Sequence, residues 1–241
     1  MDYIFEGIEK AFQLIFSGDP RVIDVTLRAL YVSSLATVIA ILFGIPIAML
    51  LALKNFRGKL LIKGIFNTLL GIPTVALGLF LFIIYSKAGP FGFLGLLYTP
   101  TAMILGEAIL VLPIIVSLAT NAIEAVDPDI MNQAKTLGAS ESQASLVVLK
   151  EAFAGVLLAG IACFNRAIAE LGVAQMVGGN IAGWTEVLTT SISLETQKGN
   201  IALSIALAII LLAIVFGITI TLNILQWKGL AVYRRKMREK T

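Results

Sequence analysis

The chain has 241 residues, of which 58% are hydrophobic and 14% charged, with a formal net charge of +3 and a pI near 9.0. Soluble domains carry roughly 25% charged residues, so this composition excludes an ordinary water-soluble globule and points to a polytopic membrane protein. With no His and one Cys, Cys163, an intrachain disulfide is excluded and the commonest metal and acid–base chemistries lose their usual residue.

Residues 1–25 precede the apolar body. Ile4, Phe5, Ile8, Phe12, Ile15 and Phe16 recur at helical spacing, with Asp2, Glu6, Glu9 and Lys10 elsewhere. That pattern predicts an amphipathic helix lying in the membrane interface, ended by Ser17-Gly18, with Asp19-Pro20 starting the next helix. It lacks the charge order of a cleavable signal.

Residues 26–227 hold five apolar runs, at 29–53, 64–85, 101–122, 152–176 and 201–227. Each has the roughly 20 residues that cross a hydrocarbon core about 30 Å thick. Backbone polar groups cannot stay unpaired in lipid, so the runs are predicted to be helices and the fold an all-α bundle. Pro46, Pro73 and Pro113 fall within the first three and predict local shaping of those helices.

Lys and Arg orient the bundle. The loop 54–63, the insert 124–151 and the tail 228–241 fall on one side and hold twelve basic residues, against four on the other. The positive-inside rule makes the richer side cytoplasmic, with the amino terminus outside. No aromatic–basic reading surface accompanies these charges, so anionic lipid headgroups, not nucleic acid, are their expected partners.

The insert is amphiphilic. Asp127 is placed to cap a short helix with Pro128 at its first position and Gly138 past its end, and Ser140 with Gln143 forms a capping box for the helix that follows. A capped polar crosspiece between two greasy spans suits a grip for something outside the bilayer.

The run Asn165-Arg166-Ala167-Ile168-Ala169-Glu170 in the fourth span is the most polar at membrane depth. Ionisable groups there face the bundle interior, find partners and mark pathways. Arg166 and Glu170 are four apart and share a helix face. Glu107 and Glu170 each lie six residues inside their spans, at a depth of roughly 9 Å, with Arg166 about 15 Å deep. The expectation is one buried cluster of Glu107, Arg166 and Glu170. Arg166, helped by Asn165, either belongs to an anion pathway or serves as counter-charge to the two acids.

Gln133-Ala134-Lys135 with Gly138, followed by Ala139-Ser140, resembles the EAA loop of ABC importer permeases, where a short helix docks into the ATPase subunit. The family's Ile-x-Leu-Pro stands here as Val148-Leu149-Lys150-Glu151, without the Leu and Pro. More widely, Phe164 to Gly172, Gln175-Met176-Val177-Gly178-Gly179-Asn180-Ile181, Asn67 to Pro73 and Gly95 to Ala102 are similar to the tungstate-type oxyanion permeases, and the likeness runs from about Asp24 to Trp227. The resemblance implies a type I ABC importer permease (MetI-like) fold of five transmembrane helices, in a multi-pass protein of a prokaryotic inner membrane.

Its implied partners are a second permease copy, a cytosolic ABC ATPase that holds ATP and Mg, and an extracytoplasmic oxyanion-binding protein. The chain itself would carry no cofactor and no catalytic residue. Gln133, Ala134, Lys135, Leu137, Gly138, Ala139 and Ser140 are the expected coupling contact. The alternatives are a molybdate or other oxyanion permease and, further off, an ion-coupled secondary carrier or channel using Glu107, Arg166 and Glu170. The inverted repeats and paired broken helices frequent in such carriers are not visible in the sequence.

Overall fold

The computed structural model describes residues 2–238, apart from the side chains at positions 2, 3, 15, 222, 223 and 225–238. The basic residues of the tail, from Lys228 onward, therefore lie outside the described side chains, as does Met1. The described residues form α-helices with one short 3-10 turn at Gly92–Leu94.

Helix α1 (Asp2–Ser17) turns at Gly18 into α2 (Pro20–Leu53), where the Asp19 carboxylate accepts from the amides of Arg21 and Val22 at 3.0 and 3.1 Å. The predicted amphipathic helix is thus present. Its Ile4, Phe5, Phe12 and Phe16 are exposed, while Ala11 is buried where α1 packs on the last helix, α11 (Ile201–Arg238).

Helix α2 crosses α5 (Pro100–Glu124), which is buried on most of its surface. Thr99 caps α5 by accepting from the Ala102 amide at 3.2 Å, and Pro113 lies inside it without ending it. The core divides along α5. One part gathers Val25, Val32, Met103, Val173 and Val177, the other Leu51, Ile115, Ile123 and Val148.

Two of the five apolar runs are bent rather than straight. The run 64–85 divides into α3 (Lys59–Leu69) and α4 (Thr74–Tyr85), bent by 100° across Leu70 to Pro73. Pro73 does more than shape a helix here, since its fixed φ and missing N–H close one helix and start another. The fourth run is likewise not one helix from 152 to 176. The crosspiece comprises α6 (Pro128–Thr136) and α7 (Glu141–Glu151), and α7 bends by 69° into α8 (Phe153–Ile168). After a break at Ala169 to Leu171 the chain resumes as α9 (Gly172–Gly178). Among the described residues three helices, α2, α5 and α11, are long and apolar enough to span a membrane singly, and counting each bent pair, α3–α4 and α7–α8, as one span gives up to five. Segment 177–200 forms the end of α9, a loop, and α10 (Leu188–Gln197).

Candidate functional site

The crosspiece is built from local signals. Asp127 accepts from the Asp129 amide at 2.9 Å and starts α6. The helix ends where the Ala139 amide donates to the Ala134 carbonyl at 3.0 Å and Gly138 takes φ +90°, a conformation that side chains with a β-carbon resist. Ser140 and Gln143 then close a reciprocal box, with the Ser140 amide donating to Gln143 Oε1 at 2.8 Å.

Ile130 and Met131 root α6 in the core, whereas Gln133, Lys135, Gly138 and Ser140 are exposed, Ala134 and Ala139 are half-buried, and Leu137 is 88% exposed at the tip. An open groove of about 500 Å³ runs between α6 and α7 beside Ala134, Leu137 and Val147. An exposed leucine at the end of a capped polar helix is an anchor without a socket in this chain. Lys54, at the end of α2, pairs with Glu141 of α7, and Lys63 and Lys59 of α3 both hold Glu124 at the end of α5.

At membrane depth two of the three ionisable groups form an ion pair. Arg166 Nη1 donates to Glu170 Oε2 at 2.6 Å. The other oxygen of Glu170 accepts from the Val173 amide at 2.9 Å, and its backbone carbonyl accepts from Thr189 Oγ1 at 2.7 Å. Glu170 therefore starts α9 with its side chain and ties α8, α9 and α10 at one point. This explains why the fourth run breaks there. Gly172 presses against Thr74, at the start of α4, so the breaks in the second and fourth runs meet. Around that meeting lies a cavity of about 470 Å³ lined by Thr74, Arg166, Glu170, Gln175 and Met176. Arg166 is about one-third exposed and Glu170 is buried.

Glu107 and Asn165 do not line that cavity, although Glu107 lies within electrostatic reach of both Arg166 and Glu170. Glu107 of α5 is buried and accepts from Ser33 Oγ of α2 at 3.2 Å, and no hydrogen bond or ion pair joins it to Arg166 among the described residues. Asn165 Nδ2 donates to Thr219 Oγ1 at 2.9 Å, fastening α8 to α11.

Sequence reasoning missed two further groups. Arg21 bridges Glu186 at 2.8 Å and Glu195 at 3.2 Å, with Lys198 and Asn200 also on Glu195 and Arg28 donating to the Glu186 carbonyl. Tyr98 has φ +63°, its amide donating to the Val177 carbonyl at 2.8 Å and its carbonyl accepting from the Trp184 indole at 3.1 Å. Glu186 and Glu195, the two acids of residues 177–200, were the available signal for the first. A tyrosine with positive φ has none.

A family model of binding-protein-dependent transport system inner membrane components matches residues 44–227, and the chain belongs to that family. It is a multi-pass membrane component of a transport system. Over 226 residues it is 39% identical to the tungstate uptake system permease protein TupB of Peptoclostridium acidaminophilum, covering 94% of this chain and 99% of that one. With the protein of the same name from Campylobacter jejuni it shares 41% identity over 216 residues, 90% of either chain. Among solved structures, the inward-facing MetNI methionine ABC transporter matches with a TM-score of 0.70 over 86% of this chain and 95% of that one, at 18% identity, a likeness of fold.

Proposed function

We propose that this chain is the membrane-spanning subunit of an ATP-driven oxyanion importer with tungstate as its cargo. The observation that carries the reading is end-to-end similarity to two tungstate uptake permeases in a bundle that presents the capped crosspiece Asp127 to Ser140 with Leu137 bare at its tip. The crosspiece faces the cytosol, and residues Gln133 to Ser140 seat in a separate ATPase that holds ATP and Mg. The chain itself is non-catalytic and needs no cofactor. A second copy completes the pathway, and an extracytoplasmic binding protein delivers the anion to the outer face, where the amino terminus lies.

In this reading, closure of the ATPases pushes on α6. Rigid movement of the packed helices then alternates access to the cavity at the α3–α4 and α8–α9 breaks. The Arg166–Glu170 pair is close to neutral, so it holds the break in shape without trapping a dianion. Selectivity rests with the binding protein.

The deciding experiment is co-reconstitution of the chain with its ATPase and binding protein in vesicles, with tungstate, molybdate and sulfate in competition. Tungstate uptake that requires ATP and both partners is the expected result. Uptake by vesicles holding this chain alone overturns the proposal.

A further inference from the structure

Between α1, the start of α2 and the start of α11 lies a cavity of about 700 Å³ that plays no part in the coupling or pathway sites. Its lining is graded. At the rim stand Asp19, Arg21 and Asn200, with Ser191 buried behind them, while the half-buried Leu14 and Leu203 lead inward to the core residues Val22, Val25 and Leu207. Both helices begin at this end and run from polar to apolar over six or seven residues, about 10 Å, which is the depth of a headgroup layer plus the uppermost acyl carbons.

Helix α1 closes the side. It turns Glu6, Glu9, Lys10 and Gln13 toward the cavity and leaves the apolar Phe5, Phe12 and Phe16 exposed. Lys10 and Glu6 make no ion pair among the described residues, and Arg21, though bridged to Glu186 and Glu195, keeps half its side chain exposed. Cations and carboxylates thus line one polar compartment above an apolar floor, in a protein that lives among lipids.

We propose that this cavity binds one zwitterionic phospholipid, with the phosphate toward Lys10 and Arg21, the primary ammonium toward Glu6 and Glu9, and the acyl chains leaving along the half-buried Leu14 and Leu203. An anionic phospholipid suits the first pair but meets the carboxylates unpaired, which disfavours it. Exposed apolar residues of α1 keep that helix at the same interface as the headgroup. The site does not depend on what the transporter carries.

Native mass spectrometry of the full chain, after exchange with vesicles of phosphatidylethanolamine and phosphatidylglycerol in equal parts, tests this. The wild type is expected to retain phosphatidylethanolamine over phosphatidylglycerol by about threefold or more, the scale of one exposed ion pair. The Glu6→Gln/Glu9→Gln variant should lose that preference. Ala202→Phe, which fills the cavity from α11 and leaves every charge in place, should lower retention of both lipids. Millimolar phosphoethanolamine, lacking chains for the apolar floor, should displace neither. Equal retention of the two lipids by the wild type, an unchanged preference in the double Gln variant, or undiminished retention in Ala202→Phe overturns the proposal. Displacement by phosphoethanolamine alone makes the site one for the free headgroup and overturns it as a lipid site.

Discussion

Gly172 lies against Thr74 so closely that a β-carbon on the glycine would stand 2.6 Å from the Thr74 hydroxyl oxygen and 2.9 Å from the Val75 amide nitrogen. Backbone cannot yield as a flexible side chain can, so Gly172→Ala is expected to destabilise the bundle by about 1–3 kcal/mol. Gly71→Ala, whose nearest neighbour would be 3.7 Å away, should be nearly silent. Thermal unfolding of both variants in detergent checks the contrast, and an equal effect would show that the two breaks do not pack as described.

At Gly138 space is not the issue, because nothing lies within 4 Å of a β-carbon built there. The penalty comes from φ +90°, about 1 kcal/mol for Ala and more for a β-branched residue. Gly138→Val should therefore leave the membrane bundle folded but reshape the junction of α6 and α7. In the complex carrying this variant the ATPase should still hydrolyse ATP while uptake is reduced; full uptake would deny the turn any coupling role.

Arg166→Lys keeps the charge and loses the planar guanidinium that meets Glu170 at 2.6 Å. The expected outcome is a loss of stability of about 1 kcal/mol with an unchanged half-saturating tungstate concentration in the reconstituted complex. A raised half-saturating concentration would mean that the guanidinium touches cargo.

Glu195 should give acid sensitivity to its end of the bundle. Burial pushes its carboxyl up, but hydrogen bonds from Lys198, Arg21 and Asn200 outweigh that and hold it below the ordinary value of 4.5. A carboxyl depressed in the folded state contributes stability above its unfolded value and loses it as pH falls through the folded one. The melting temperature should fall from about pH 5 downward, and less steeply in Glu195→Gln. Parallel pH profiles would contradict the assignment.

The buried Cys163 makes orientation testable without removing it. Leu137→Cys should react with a membrane-impermeant maleimide only when the cytosolic face is accessible, while the wild type stays unlabelled. Labelling of intact cells from outside would invert the topology.

What the sequence revealed, and what it hid, follows from the range of each interaction. The caps at Asp127 and at Ser140 with Gln143 use neighbours within three residues, so they are legible as text and present in the structure. The breaks at Leu70 to Pro73 and Ala169 to Leu171 are not, because apolar length alone reads as a continuous span, and both form where distant segments meet, Gly172 on Thr74. Adjacent residues also mislead. Successive positions on a helix point about 100° apart, so Asn165 reaches Thr219 while Arg166 reaches Glu170. Depth along a span placed Glu107 near Glu170 in height, and the two do lie within electrostatic reach, but depth could not tell that the hydrogen bond of Glu107 goes to Ser33. The Arg21 bridges join positions 165 and 174 residues apart, beyond any local pattern.

Helix α2 carries an attachment at either end, Arg21 to Glu186 and Glu195 above and Lys54 to Glu141 of the crosspiece below, separated by 34 helical residues or about 50 Å. A rod fastened at both tips behaves as a tie-beam: a pull applied at α7 is carried along its axis to the far attachment. The charge lattice holding Glu186 and Glu195 would then register events at the opposite face of the bilayer without any side chain between them changing its neighbours.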